Sequence, residues 1–168
     1  MRTGMRQGPE IWIRGPVGAP EPGPPEPARA RAAARRFSWV GTHGGAGVTT
    51  LAAVHGGHDS GRSWPGPGDP RAVLLVARTH ASGLDTVVPA VQAFRRGEVP
   101  HGLGLEGVVL VADAPGRLPR PLSRRIRHIE SLIDVYRVPW VPEWRLGDLR
   151  GRPPREAGPL ARLTGSGV

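Results

Sequence analysis

The sequence predicts a small α/β domain in which a parallel sheet lies between two layers of helices, and three observations indicate this class. Two uninterrupted aliphatic runs, 72–77 and 108–112, are typical of strands that are covered on both faces. Helical periodicity follows each of these runs. A glycine-rich turn at 41–50 separates another short apolar run from a short helix. Right-handed crossovers would join these elements into a three-layer domain with about four parallel strands.

The order of the elements follows from apolar runs and from the Gly and Pro residues that interrupt them. Pro89 is tolerated only in the first turn of a helix, and Gly97 ends that helix. Pro121 favours the first turn of the next helix. The glycine- and proline-rich segment 58–70 is predicted to be a loop. The predicted elements are a strand at 37–40, a helix at 49–55, a strand at 72–77, a helix around 84–94, a strand at 108–112, a helix from 121 to about 133 and a strand at 135–138.

Composition divides the 168 residues into three parts. Gly (25) and Pro (20) make up more than a quarter of the chain, so a large fraction is not expected to pack. Residues 1–36 are rich in Pro, Gly and Arg and are predicted to be a disordered arm, since they cannot bury enough apolar surface to offset their ordering entropy. Residues 37–150 form the predicted domain, and residues 151–168 are predicted to be a flexible C-terminal tail.

The residue types exclude several classes of protein. The chain has no cysteine, which excludes disulfides, thiolate metal sites and cysteine catalysis. No apolar run is long enough to span a bilayer or to act as a signal peptide, so a cytoplasmic protein without a membrane segment is expected. All 23 basic residues are arginine, and the net charge is +9. Residues 1–36 carry seven arginines against three acids and segment 117–155 carries ten against four, so the positive charge is concentrated in the arm and in the C-terminal third.

The turn after the first strand has the context of a phosphate-binding loop. Its glycines would let successive backbone N–H groups converge on an anion, and the helix N-terminus would add its dipole. In such loops a lysine reaches the terminal phosphates and a Ser or Thr hydroxyl binds Mg²⁺. Thr49 occupies the metal-binding position here, but Val48 occupies the lysine position. Arg78, just after the second predicted strand, is the best candidate for a compensating cation.

The motif His43-Gly-Gly-Ala-Gly-Val-Thr-Thr50 resembles the deviant phosphate loop of the ParA/MinD group of ATPases, K-G-G-x-G-K-T-T. Roughly residues 37–148 follow the pattern of that group, which includes a "gly-val-val" strand and a segment like Val138-Pro-Trp140. More closely, the string 112–119 is similar to an uncharacterised family of short actinobacterial ParA/MinD-like proteins. The resemblance implies a P-loop-type fold, an ATP and Mg²⁺ site and, for the actinobacterial family, no assigned activity.

The sequence departs from the ParA/MinD pattern at the residues that catalyse hydrolysis. Both signature lysines are replaced, by His43 and Val48, and Arg78 stands where an acid would follow a strand. Asp113 is the one residue that resembles a Walker B acid, but the sequence Asp113-Ala-Pro-Gly116 favours a turn that ends a strand. We therefore expect no catalysis and at most weak anion or nucleotide binding. The residues expected to bind are Gly44, Gly45, Ala46, Gly47, Val48, Thr49, Thr50, Arg78 and Asp113.

Several other residues near the turn have a possible functional role. His55, His58 and Asp59 could suggest a metal site, but their short spacing in a glycine-rich segment favours solvated loop side chains. Trp39, two residues before the turn, is expected to report a bound ligand by its fluorescence.

An arginine cluster in the C-terminal third could contact DNA phosphates or could form a solvated helix face. Its members are Arg117, Arg120, Arg124, Arg125 and Arg127.

Three functions follow from these observations. The first is a non-hydrolysing, ParA/MinD-like binding or scaffold protein with an unidentified protein partner. The second is a basic, DNA-associated accessory protein of plasmid or mobile-element maintenance. The third is a residual nucleotidase that uses Arg78, or a lysine from a partner, in place of the missing lysine.

Overall fold

The computed structural model describes residues 37–166, and these residues form a five-stranded sheet in which every neighbouring pair is parallel. The predicted arm, residues 1–36, lies outside the described residues. The strand order is β2-β1-β3-β4-β5. The prediction of an α/β fold built on a parallel sheet is confirmed. The strands are β1 (Phe37–Gly41), β2 (His58–Asp59), β3 (Ala72–Arg78), β4 (Gly104–Val111) and β5 (Val135–Val138).

The helices connect the strands and cover both faces of the sheet. A single turn of 3₁₀ helix, Arg155–Ala157, precedes the last of them. The predicted helix around 84–94 is divided at Thr86, and Pro89 lies in the first turn of the second piece, where it removes no helical hydrogen bond. The helices are α1 (Val48–His55), α2 (Ala81–Asp85), α3 (Val87–Arg95), α4 (Arg120–Glu130), α5 (Pro142–Arg145) and α6 (Gly158–Thr164).

The strand β3 lies at the centre of the molecule. Residues 73–77 are fully buried, because successive β-branched and aliphatic side chains alternate between two apolar layers. On one face of the sheet, α1 and α6 pack through Leu51 and Leu160. On the other face, α2, α3 and α4 pack through residues such as Val91 and Ile126. The sheet is therefore covered on both sides, as the uninterrupted apolar runs predict.

The organisation of the chain differs from the prediction in two details. The sheet has five strands where about four were expected. The additional strand, His58–Asp59, lies inside the predicted loop and pairs in parallel with β1 as a short edge strand. Residues 151–166 do not form a flexible tail, since α6 buries Leu160 completely and Thr164 almost completely against the sheet. The folded domain therefore extends from 37 to 166 rather than to 150. Tail residues 167–168 lie outside the described residues.

Candidate functional site

The glycine turn between β1 and α1 presents a row of backbone N–H groups. Gly45 and Gly47 have positive φ angles of 74° and 104°, which side-chain-bearing residues rarely adopt. Among the described residues, no acceptor receives a hydrogen bond from the backbone N–H groups of residues 44–50. Their dipoles add to the positive end of α1. The turn lines a solvent-open depression of about 370 Å³ and can accept an oxyanion.

Arg78 places its guanidinium over this turn from the end of β3. Nε donates to the Gly45 carbonyl at 3.4 Å, and Nη1 donates to the Ala112 carbonyl at 3.0 Å. Partial burial lowers the pKa of Arg78, the charge of Asp113 raises it, and the charge of Arg145 lowers it. An arginine nevertheless stays protonated in proteins. The structure therefore brings a fixed positive charge to the residues predicted to bind an anion.

Val48, in the lysine position, belongs to the apolar core. The side chain is 7% exposed and packs in the cluster that contains Trp39 and Leu51. A Cβ atom at Gly41 would lie 3.1 Å from Val48 Cγ2, so the strand and the isopropyl group are in close approach. The residue that should contact phosphate thus stabilises the junction of β1 and α1 instead.

Thr49 and Asp59 bring two hard oxygen ligands together beside the turn. The Thr49 hydroxyl donates to Asp59 Oδ2 at 2.7 Å, and the Gly61 N–H donates to Asp59 Oδ1 at 2.8 Å. Hydroxyl and carboxylate oxygens are the ligands that Mg²⁺ prefers, and Mg²⁺ usually also binds substrate phosphates. These two residues are the ones that would hold a Mg²⁺ ion accompanying a phosphate chain.

His43 connects the start of the turn to the end of β3. The Arg78 backbone N–H donates to His43 Nε2 at 3.0 Å, so Nε2 is the acceptor nitrogen and Nδ1 carries the proton that it donates to the Gly44 carbonyl at 2.8 Å. A Cβ at Gly83 would lie 2.8 Å from Nε2 and 2.6 Å from the Arg78 carbonyl. The absence of a side chain at residue 83 lets His43 approach, and His43 thereby fixes the backbone that carries the guanidinium.

Asp113 does not join the depression beside the glycine turn. Its side chain is exposed at the end of β4, and its backbone N–H donates to the Thr79 hydroxyl at 3.1 Å. The local structure is the turn that Asp-Ala-Pro-Gly favours. Asp113 therefore influences the site through its charge on Arg78 alone.

A narrow crevice lies next to the turn, between α1 and the segment after β5. It holds about 40 Å³ of free space and is lined by residues that include Thr50, Trp140 and Trp144. The Arg145 guanidinium lies over the Trp140 ring at 5.3 Å from its centroid, a cation–π contact. Ligand pockets for drug-sized molecules measure about 300–1,000 Å³. In this conformation the crevice has no room for a nucleobase.

The predicted arginine cluster has two kinds of member. Arg125 forms an ion pair with Asp85 at 2.9 Å and donates to the Ala81 carbonyl. This side chain therefore links α4 to α2. The other four arginines are exposed, and no ion pair among residues 37–166 involves them. Three of these lie at positions i, i+4 and i+7 of α4 and thus on one face. The four are Arg117, Arg120, Arg124 and Arg127.

Sequence reasoning missed the pairing of Asp59 with Thr49 and the linking role of His43. Asp59 follows the helix by only four residues, and β2 is too short to give a strand pattern. His43 replaces a signature lysine, and its partner is a backbone N–H that is 35 positions away. Trp39 is also placed differently from expectation. The indole Nε1 donates to the Gly56 carbonyl at 2.6 Å, at the opposite end of α1 from the turn. Trp140 and Trp144 are the tryptophans beside the turn.

The described part of the chain contains neither a membrane-spanning helix nor a cluster of metal-ligating side chains. No helix within residues 37–166 is long and apolar enough to cross a membrane. Over the same range, no group of three or more His, Cys, Asp or Glu side chains is arranged to hold a metal ion. His58 instead lies 3.5 Å from Asp69 in a half-exposed pair.

Comparisons with known proteins found one similar structure. No protein-family model and no curated protein matches the chain. Among solved structures, the chain is similar to the cell division ATPase MinD of Pyrococcus furiosus, at 19% identity and a TM-score of 0.38. The match covers 57% of this chain and 41% of that one, so this chain spans about two fifths of the MinD protein. What the chain does is therefore inferred from the geometry of its own glycine turn.

Proposed function

We propose that this chain is a ParA/MinD-like protein that binds a phosphate-type anion at the glycine turn and does not hydrolyse it. The observation that carries the proposal is the row of free N–H groups at residues 44–50 beneath the Arg78 guanidinium. Charge-assisted hydrogen bonds from such donors are the strong class in proteins. As a binding or scaffold protein, the chain would act through a partner protein.

The absence of turnover is proposed from the residues around the anion. Val48 is buried, so no ammonium group reaches the position where charge develops during phosphoryl transfer. Arg78 is bonded to two carbonyls, an arrangement suited to holding a ligand rather than to moving with a departing phosphate. Thr49 and Asp59 support a bound Mg²⁺ ion that would neutralise a longer phosphate chain.

The size of the crevice supports recognition of the phosphate chain without the base. Since Arg145 and Trp140 fill the space beside the turn, the base of a nucleotide would extend into solvent. We expect the affinities for tripolyphosphate and ATP to agree within about threefold, a difference of less than 1 kcal/mol.

Isothermal titration of the full-length chain with tripolyphosphate and with Mg²⁺-ATP tests this function. Arg78→Ala should weaken binding by at least about tenfold, because a hydrogen bond to a charged group contributes about 1.5–3 kcal/mol. Arg96→Ala removes the same charge from a surface pair with Glu98 and should leave binding unchanged. ATP turnover above background that Thr49→Ala abolishes would contradict the proposal and favour the nucleotidase.

Binding to DNA is a second candidate, and the four unpaired arginines on and before α4 favour it. Four phosphate contacts predict that affinity falls about 100-fold between about 50 and about 200 mM salt. Replacing Arg120, Arg124 and Arg127 by Ala should reduce the salt slope by about 3. Arg125→Ala is the matched control, since Asp85 already pairs with that side chain. An unchanged slope in the triple variant would exclude this surface.

A further inference from the structure

A buried polar cluster lies where the end of α1 meets the end of α6, on the opposite side of α1 from the glycine turn. His55 is 1% exposed and Thr164 is 3% exposed. His55 Nδ1 lies 2.9 Å from Ser166 Oγ, which in turn lies 2.8 Å from Thr164 Oγ1. These contacts join residues that are 111 positions apart in the chain.

The direction of each hydrogen bond follows from the number of protons available. The Thr164 hydroxyl donates to the Leu160 carbonyl at 2.9 Å, so its oxygen accepts from Ser166. Ser166 has then used its proton, and its oxygen accepts from His55 Nδ1–H. Donation from Nδ1 occurs in both the neutral and the protonated ring, but the neutral ring, with its lone pair on Nε2, is the form that avoids a buried donor without an acceptor. That nitrogen is buried and has no hydrogen-bond partner among the described residues.

Among residues 37–166, the groups that face His55 carry no charge. From β1, the Trp39 ring lies 6.3 Å away between centroids, and its N–H donates to Gly56 rather than to the imidazole. From α6 and the residue that follows its C-terminal turn, the facing groups are the hydroxyls of Thr164 and Ser166. Burial by itself lowers the pKa of His55 to about 4, with no contribution from a charged side chain.

We propose that His55, Thr164 and Ser166 form an acid-sensitive clasp that holds α6 on the sheet, and that proton uptake at His55 Nε2 releases α6. A proton on Nε2 creates a buried cation and a buried donor that lacks an acceptor. Undocking of residues 158–166 removes the cover over the ring and exposes the imidazolium to water. The closed state is thus favoured when His55 is neutral, and the open state is favoured when it is charged.

The linkage between proton binding at His55 and undocking of α6 gives the sign and the size of the pH dependence. An exposed histidine titrates at its ordinary pKa of about 6.5, whereas the clasped one stays neutral to about pH 4. Closure therefore has its full stability above about pH 6.5 and loses stability as the pH falls towards 4. Between about pH 7.5 and pH 5, the equilibrium constant for undocking should rise about 30-fold.

Hydrogen–deuterium exchange of the full-length chain tests the clasp. Protection of the α6 amides, corrected for intrinsic exchange rates, should fall about 30-fold between the two pH values, while that of β3 persists. His55→Asn keeps a side-chain N–H that can reach Ser166 but takes up no proton, so its α6 protection should not depend on pH. His101→Asn, at an exposed site, should behave like the unmodified chain.

Three results would overturn the proposal: unchanged α6 protection at pH 5, the same loss in His55→Asn, or simultaneous loss in α6 and β3. A second measurement does not depend on the stability of a variant. The ¹⁵N shifts of the imidazole in the unmodified chain should show the Nδ1–H tautomer at pH 7.5 and a neutral ring in the closed form at pH 5. An Nε2–H tautomer, or a charged ring beneath a protected α6, would contradict the clasp.

Discussion

Val48 and Arg78 together determine the electrostatics of the glycine turn. The valine directs an isopropyl group into the core, and the arginine supplies a positive charge from a different strand. A guanidinium is planar and always charged, and it presents donors in a fixed fork that matches phosphate oxygens. Under the proposed function, the anion would therefore be held by a rigid donor set rather than by the flexible ammonium of a lysine.

Val48→Lys should change binding and stability in opposite directions. The added ammonium would reach the anion and raise the affinity for tripolyphosphate about tenfold or more. The lost isopropyl packing and the partly buried charge should lower the free energy of unfolding by about 1–3 kcal/mol. Calorimetric titration and urea denaturation measure the two effects.

The matched control for this variant is Val88→Lys, which adds the same ammonium to a partly buried position of α3 away from the turn. Its affinity for tripolyphosphate should equal that of the unmodified chain. An equal gain in both variants would mean that general positive charge, and not the position of residue 48, controls binding.

For individual residues, the sequence predicted the backbone of the glycine turn but only some of the side chains that surround it. Gly45 and Gly47 were recognisable because the turn needs glycine conformations. Arg78 was named as the compensating cation, and it does lie over the turn. The contact of Asp59 with Thr49 was not predicted, because it depends on a two-residue strand that carries no periodic pattern.

Among the elements, α6 shows how a short helix can escape sequence-based prediction. It spans seven residues, follows a segment rich in Pro and Gly, and begins with Gly158 and Pro159. These features are typical of a loop. Its stability comes from tertiary packing, since Leu160 and Ala161 are buried and Leu160 belongs to the core cluster on one face of the sheet. The strands β3 and β4 were predictable because their apolar runs identify them without reference to distant residues.

Leu160→Ala tests how much α6 contributes to the domain. A fully buried leucine that is truncated to alanine typically costs about 2–5 kcal/mol. We expect a loss in that range by urea denaturation, with no change in affinity for tripolyphosphate, because the glycine turn is formed by β1 and α1. Leu146→Ala is the control, since that side chain is 86% exposed and its loss should cost about 0.5 kcal/mol or less. Equal effects of the two substitutions would contradict the packing of α6.

In the whole molecule, the positive charge and the anion site lie on different structural units. Segment 117–155 carries the excess of arginine, whereas the glycine turn belongs to a segment, 37–116, with five arginines and six acids. The proposed binding at the turn would therefore depend on local donors more than on the net charge of +9. Binding along α4 would depend on the summed field and would respond more strongly to salt.

Anion binding should stabilise the entire domain. A ligand that binds only the folded state adds about 2.7 kcal/mol at a concentration of about 100 times its Kd. Tripolyphosphate at that excess should raise the Tm in differential scanning calorimetry. Arg78→Ala should lose most of this increase at the same concentration, whereas Arg96→Ala should keep it. A rise of equal size in both variants would indicate a general salt effect.

The direction in which strands are added to the sheet reverses between β1 and β3. The connection that leaves β1 runs to β2 on one side, whereas the later strands are added on the other side, beyond β3. At such a reversal the loops diverge above and below the sheet and leave an open seam at the carboxyl ends of the two central strands. The glycine turn after β1 and Arg78 at the end of β3 border this seam, and the Arg78 side chain can be exchanged without loss of a backbone hydrogen bond between β1 and β3. Ligand preference can be redesigned at this seam while the supporting architecture stays constant.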